Sequence, residues 1–221
     1  YMDSECVFCG QCVEVCPVGA LTEKKSKGLG RSWETKRIRT TCPYCGTGCQ
    51  LNLHVKGEQI VKINGVEDGA PNYGRLCVKG RFAYDFIYSK DRLTAPLIRR
   101  ENGEFREASW AEALELVAAK FKEIIKKHGP DAVAGISCAR SINEDSYNMQ
   151  KLFRAVFQTN NIDHCARVCH APTVAGLAAS FGSGAGTNSI SEFKDAKMFF
   201  CIGTNMTEAH PVASYFVKEA K

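Results

Sequence analysis

Eight of the twelve cysteines in this 221-residue chain fall into two tight groups near its amino terminus, and no other feature constrains the fold as strongly. The first group runs Cys6-x2-Cys9-x2-Cys12-x3-Cys16-Pro17. The second runs Cys42-x2-Cys45-x3-Cys49, with Cys77 arriving later from a distant loop. A disulfide framework spreads its cysteines along the chain. Tight groups of thiols in a sequence without secretory features read instead as metal ligands.

Reach decides what the first group can hold. Three thiolates two residues apart can wrap one loop around three corners of a cubane. A fourth, followed by proline, leaves the loop and serves the other cluster of a two-cluster module, which is the bacterial ferredoxin run. Zinc sites usually pair two C-x2-C knuckles, so three consecutive ones argue for 4Fe–4S clusters. The expectation is half of a ferredoxin-like α+β module, with its partner half upstream of Tyr1. In the second group, four thiolates with one from afar can close a single 4Fe–4S site. By spacing alone a zinc ribbon competes.

The remaining composition is that of an ordinary folded protein, with 44% hydrophobic and 24% charged residues. A net charge of +5 demands neither a nucleic acid nor an anionic membrane as partner. No apolar run approaches the roughly 18–20 residues of a membrane span. Both ends look cut, so an export signal stays open.

Three segments are expected. Residues 1–36 hold the first cysteine group and then a basic stretch, in which Lys24, Lys25, Lys27, Arg31 and Lys36 outnumber Glu23 and Glu34 and which runs on into Arg37 and Arg39. It reads as a solvated connector, the alternative being a docking strip. Residues 37–95 hold the second group and a small hairpin: Leu51, Leu53 and Val55 alternate with polar neighbours, Gly57-Glu58 turns, and 60–63 returns. Residues 96–221 alternate helix and strand. Ser109 and Glu112 form a capping box, and Trp110, Ala113, Leu114, Val117, Phe121, Ile124 and Ile125 follow helical spacing until Gly129-Pro130. An apolar strand is predicted over 132–137. A helix follows over 144–158 with Tyr147, Leu152, Phe153, Val156 and Phe157 inward, then a buried strand over 198–202 and a helix from Pro211. Such alternation implies α/β architecture with a covered parallel sheet, which binds ligands at the carboxyl ends of its strands.

A third constellation, Asn160-Asn161-Ile162-Asp163-His164-Cys165-Ala166-Arg167-Val168-Cys169-His170-Ala171-Pro172-Thr173, places Cys169 just ahead of a helix that Pro172 begins. Free amides and the helix dipole favour a thiolate there, and His170 is adjacent to move a proton. Spacing leaves three readings open: a zinc site with the histidines, a nucleophile, or a structural thiol.

Three stretches carry a resemblance to a known family. Thr41-Cys42-Pro43-Tyr44-Cys45-Gly46-Thr47-Gly48-Cys49 and Leu76-Cys77-Val78-Lys79-Gly80-Arg81 resemble the amino-terminal cluster domain of molybdopterin oxidoreductases. The segment around Val168-Cys169-His170-Ala171-Pro172 resembles the active-site segment of formate dehydrogenase catalytic subunits in their cysteine-containing form. The resemblance implies that Lys79 lies on the electron path between cluster and pterin. It implies that Cys169 ligates molybdenum or tungsten and that His170 joins proton transfer. It implies that Arg140 and the loop of Gly203, Asn205, Glu208 and His210 contact a bis(molybdopterin guanine dinucleotide) cofactor. A glycine-opened loop feeding a helix suits a nucleotide on physical grounds as well. The implied reaction is the two-electron oxidation of formate to CO2, or its reverse. Electrons then leave through the 4Fe–4S clusters to iron–sulfur, diaphorase or hydrogenase subunits. The implied location is cytoplasmic, with no nucleic-acid partner and no membrane span.

An arginine that the family places beside the metal, and the rest of the pterin site, would lie downstream of Lys221, so the isolated fragment is expected to be inactive. Cys138, Cys165 and Cys201 match no ligand position and read as structural, Cys201 within a buried strand. The rival readings are a nitrate reductase-like enzyme, a non-catalytic complex I-like electron conduit, and a zinc-stabilised nucleic-acid binder.

Overall fold

The computed structural model describes residues 3–4 and 6–221. The chain forms two compact units that do not follow its linear order. One runs up to Ser89 and recruits Gly186–Lys221; the other is Lys90–Ala185.

The first unit opens with the short helix α1 (Gln11–Glu14) and continues into an antiparallel sheet of β1 (Lys36–Thr41), β2 (Gln50–Lys56) and β3 (Gln59–Gly65) in the order β1-β2-β3. The predicted hairpin is β2–β3. Its turn uses Gly57 at φ 61°, and its register shifts at a bulge between His54 and Val55. The strand β1 was missed by sequence reasoning, which ran the basic connector into it. Every residue of β1 is exposed, so Ile38 among Lys36, Arg37 and Arg39 shows no buried face to betray a strand. The connector is also less solvated than expected: Lys25 donates to the Phe82 carbonyl at 2.5 Å and pairs with Asp85 at 2.7 Å.

Alternation along β2 and β3 puts Leu51, Val61 and Ile63 inside. Leu51 and Ile63 pack with Cys49, Leu76, Cys77 and Tyr84 against Val212 and Phe216 of the terminal helix α8 (Pro211–Glu219). Pro211 starts that helix as the sequence predicts, because its fixed φ suits the first turn and its missing N–H has no partner there to lose. Burying side chains such as Leu76, Val212 and Phe216 stabilises by roughly 1.5–3 kcal/mol each. The loop after β3 is fastened by the fully buried Asn72. Its side chain donates to the Gln50 and Arg75 carbonyls, both at 2.9 Å, and accepts from the Gln50 amide at 2.7 Å. Gly65 is required here, since a Cβ would collide with the Gly74 carbonyl. Helix α2 (Val78–Phe82) follows directly on Cys77.

The second unit begins with the hairpin β4 (Leu97–Arg99) and β5 (Phe105–Glu107) and the helix α3 (Trp110–His128). Ser109 caps α3 by accepting the Glu112 amide at 3.2 Å. The predicted capping box is only half formed, because the Glu112 carboxylate pairs with Arg106 instead of reaching back. Gly129, at φ 84°, ends the helix. The strand β6 (Gly135–Ser137), the helix α4 (Asn143–Lys151) with a wider π turn over Leu152–Phe157, and the strand β7 (Ile162–His164) complete a parallel pair, with Ser137 opposite His164. Phe153 and Phe157 are buried with Val133 and pack on Phe121 and Ile125. Gly135 lets the Phe153 ring lie on the strand, since a Cβ would sit 2.6 Å from it. The helices α5 (Ala166–Cys169) and α6 (Ala171–Phe181) follow.

Two expectations fail. Trp110, Leu114, Val117 and Ile124 of the apolar spacing along α3, and Tyr147, Leu152 and Val156, assigned inward, are exposed. The stretch 198–202 is neither strand nor buried: Met198 is 83% and Phe200 85% exposed. An apolar run forms a strand only when a neighbour completes its hydrogen bonds, and among the described residues none pairs with it.

Candidate functional site

The helix α7 (Met206–Ala209) and the residues that precede it complete the first unit, which therefore holds both cysteine groups and the glycine-opened loop. Cys42 follows β1, Cys49 leads into β2, and the two are tied by the Cys42 amide donating to the Cys49 carbonyl at 2.8 Å. Gly48, at φ 68°, makes the tight return between Cys45 and Cys49. Cys77 caps α2. Cys49 and Cys77 are buried, while Cys42 and Cys45 are partly buried.

Burial pushes the Cys49 thiol up to about 12, and the charges of Cys42, Cys45 and Cys77 add to the rise. Burial likewise raises Cys42, with Cys77 and Cys45 contributing and Lys79 opposing. Thiols close enough for their charges to raise Cys49 and Cys42, in a largely enclosed site, suit a cationic core. Among the described residues no three His, Cys, Asp or Glu side chains converge as one metal ion would need. A 4Fe–4S cluster takes its thiolates at separate iron corners, so these four fit it.

The first cysteine group lies on the loop around α1. Gly10 caps that helix at φ 72°, and a Cβ there would meet the Arg81 side chain at 2.6 Å. Arg81, only 2% exposed, donates to the Cys9 carbonyl at 2.8 Å, to Glu14 at 2.9 Å and to Gln11 at 3.1 Å. It thus holds the Cys9–Cys12 loop against α2, the helix that follows Cys77. The backbone amides of Leu21 and Val18 hold the Cys16 thiol below its usual value, as suits an anionic ligand. The hydroxyl of Tyr215, on α8, is buried; its proton is held chiefly by burial and then by Cys9. Sequence reasoning missed Arg81 and Tyr215. The only signal was that Arg81 is four residues past a ligand.

Lys79 reaches from α2 to α7, the short helix that the glycine-opened loop feeds, where its ammonium donates to the Glu208 carbonyl at 3.3 Å. In the loop before α7, Gly203 has φ 61° and open space beside it. Asn205 caps α7, and its amide donates to the Glu208 carboxylate at 2.9 Å. His210 caps α8 and is exposed. These open, polar residues fit a nucleotide-bearing cofactor.

Arg140, Cys169 and His170 belong to the second unit. Cys169 is exposed at the end of α5, and its amide donates to the Cys165 carbonyl at 3.2 Å. His170 caps α6, with Pro172 in its first turn as predicted. Its side chain lines a cleft of about 400 Å³ with Asp163, His164, Arg167 and Val174. Arg167 pairs with Asp163 at 2.8 Å and, before the His164 amide, holds that carboxyl low. A second cleft of about 400 Å³ opens at the carboxyl ends of β6 and β7, lined by Ser137, Ser146, Arg154 and Arg167 among others. The arginines there were missed: Arg154 belongs to no motif, and Arg167, although inside the Asn160–Thr173 segment, was given no role there. Cys138, Cys165 and Cys201, expected to be structural, are all exposed.

Two tight thiol groups, one of them around a largely enclosed site that fits a 4Fe–4S cluster, are the features of an iron–sulfur protein. Comparison makes the assignment specific. Residues 92–221 match the molybdopterin oxidoreductase family, residues 35–89 its Fe4S4 domain and residues 1–22 a 4Fe–4S binding domain. The chain belongs to the molybdopterin oxidoreductase family, a family of enzymes.

The chain is 50% identical over 188 residues, 85% of its length, to the F420-dependent formate dehydrogenase 2 subunit alpha of Methanococcus maripaludis, covering 27% of that protein. It is 39% identical over 99% of its length to "Probable oxidoreductase YjgC" of Bacillus subtilis, covering 26% of that one. It therefore spans about a quarter of these relatives. The acetylene hydratase of Pelobacter acetylenicus shares its fold, with a TM-score of 0.56 at 21% identity over 66% of this chain and 21% of the other.

Proposed function

We propose that this chain is the cluster-binding and part of the pterin-binding portion of a formate dehydrogenase catalytic subunit. The reaction is the two-electron oxidation of formate to CO2, or its reverse. The modules of this reading are residues 1–36, 37–95 and 96–221.

The observation that carries it is the position of Lys79. Its charge bears on Cys42, and its ammonium donates to the Glu208 carbonyl in α7, the short helix that the open loop feeds. One side chain thus links a proposed cluster ligand to the proposed dinucleotide loop. The relative named as a formate dehydrogenase alpha subunit, 50% identical to this chain, supports formate as substrate.

A molybdenum or tungsten bis(molybdopterin guanine dinucleotide) group, when bound, supplies the two-electron chemistry. Cys169 provides the protein sulfur to its metal. His170, lining its cleft, holds or moves the substrate proton at its imidazole. Arg140, Gly203, Asn205, Glu208 and His210 bind the pterin and its nucleotide. Cys42, Cys45, Cys49 and Cys77 hold one 4Fe–4S cluster. Cys6, Cys9, Cys12 and Cys16 serve the ferredoxin-like module, from which electrons pass to an iron–sulfur, diaphorase or hydrogenase subunit in the cytoplasm. No helix among the described residues is long and apolar enough to cross a membrane.

The test is Cys169→Ser in the full-length enzyme. A serine hydroxyl is a hard, rarely ionised ligand where a soft thiolate is needed. Changing even an outer partner of a metal ligand costs 10–100-fold, so losing the ligand should lower formate oxidation by about a hundredfold or more. Iron content should stay unchanged, and X-ray absorption should show one metal–sulfur contact fewer. Full activity, or an unaltered metal shell, would refute the assignment.

A further inference from the structure

The strands β6 and β7 run parallel and in register up to Ser137 and His164. The next residue on each is a cysteine. The ladder carries one step further, because the Cys165 amide donates to the Ser137 carbonyl at 3.2 Å. Cys138 and Cys165 are therefore neighbours across the strand ends. Adjacent strands lie about 5 Å apart, within the Cα separation that a disulfide spans. The side chains face each other: the Cys165 thiol donates to Cys138 Sγ at 3.7 Å, and both residues are exposed. Bonding would need the sulfurs to close to about 2.05 Å, within reach of a side-chain rotation.

We propose that Cys138 and Cys165 are a redox-active dithiol that closes to a disulfide by exchange with a small-molecule disulfide. The Cys138 thiolate attacks one sulfur of the oxidant, forming a mixed disulfide and releasing the first small thiol. The Cys165 thiolate then attacks the Cys138 sulfur, forming the internal bond and releasing the second. Two electrons pass from the pair to the oxidant, and both thiol protons end on the released thiols.

The order of attack follows from the surroundings. The Arg140 amide, and then the hydrogen bond from Cys165, hold the Cys138 thiol below its usual value, which makes it the attacking sulfur. His164 Nδ1 stands 3.8 Å from Cys165 Sγ and accepts the Ala166 amide at 3.0 Å. Closure has a consequence for α5, because Cys165 is its first cap and its carbonyl accepts the Val168 and Cys169 amides. The bond would tether the turn that ends in Cys169 to the end of β6. Neither sulfur is among the proposed cluster or metal ligands.

The test is thiol mapping of the full-length protein with its clusters, incubated anaerobically with oxidised glutathione and then alkylated and digested. The expected product is a peptide pair joined through Cys138 and Cys165, released by dithiothreitol, with iron content unchanged. In Cys165→Ser the resolving sulfur is gone, and Cys138 should retain glutathione. Recovery of both cysteines as free thiols in the wild type, or glutathione held on Cys138 there without ring closure, would overturn the proposal. The wild-type map decides the matter even if a variant fails to fold, and it does so independently of whether formate is the substrate.

Discussion

The two thiol environments of the molecule differ in a way that matches what each is proposed to do. Around Cys49 and Cys77 the chain closes a core of Leu51, Ile63, Leu76, Val212 and Phe216, and burial pushes the Cys49 thiol toward its neutral form. Around Cys169 the second unit is open: Val168 is 90% and Ile136 78% exposed, and Cys169 itself faces solvent. An electron-transfer centre gains from exclusion of water, since burial and hydrogen bonding to sulfur set its potential. A ligand at a substrate site must remain approachable. The same residue type is therefore enclosed where it is proposed to conduct and exposed where it is proposed to react.

The sharpest way to break this comparison is Cys77→Ala in the full-length enzyme. If the buried thiols share one cubane, the variant should lose about four irons per chain. Iron analysis and the reduced-state paramagnetic resonance spectrum check it, and unchanged values would dismantle the enclosed site.

Lys79→Ala should have a smaller effect. Metal and pterin should stay bound, while the cluster is reduced by formate about tenfold more slowly, the scale of losing one charge-assisted contact worth roughly 1.5 kcal/mol. Rapid mixing measures this, and a wild-type rate would remove Lys79 from the path.

The metal-free protein offers a gentler probe. The Cys49 thiol is raised from 9 to about 12 in the folded chain, so the native state holds this proton where the unfolded state has released it. Its contribution to stability is complete below pH 9 and is lost as pH rises toward 12. Denaturant midpoints of apo protein should fall across that window. The cluster-loaded form, whose thiolates are already ionised, should lack this component. A flat apo profile would mean that the thiols are not desolvated.

The smallest effect belongs to the open unit. Ser109→Ala removes the cap that accepts the Glu112 amide and should cost about 1 kcal/mol. The change should appear as a lower thermal midpoint without loss of iron. A coupled loss of iron would show that the two units do not behave separately.

Much of the candidate site was legible because its signals are local. Cluster ligands announce themselves by spacing, since a loop must reach successive iron corners within a few residues. Helix starts at Ser109, Pro172 and Pro211 were readable because capping and a fixed φ act within one turn. The hairpin of β2 and β3 followed from a period of two. The failures share a cause as well. The basic strand β1 and the apolar stretch 198–202 were misread because pairing with a distant neighbour, rather than residue type, decides whether an extended segment becomes a strand.

The sequence by itself determined which sulfurs could bind metal, where several helices begin, and the resemblance that names the chemistry. Only the tertiary structure decided that Gly186–Lys221 folds with the cluster cysteines, that Lys79 meets Glu208, that buried Arg81 clamps the first cysteine loop, and that Cys138 faces Cys165. Each of these is a contact between residues far apart along the chain. Such contacts form only when the core closes and the loss of loop entropy is offset by burial, a balance that no local pattern of residues records.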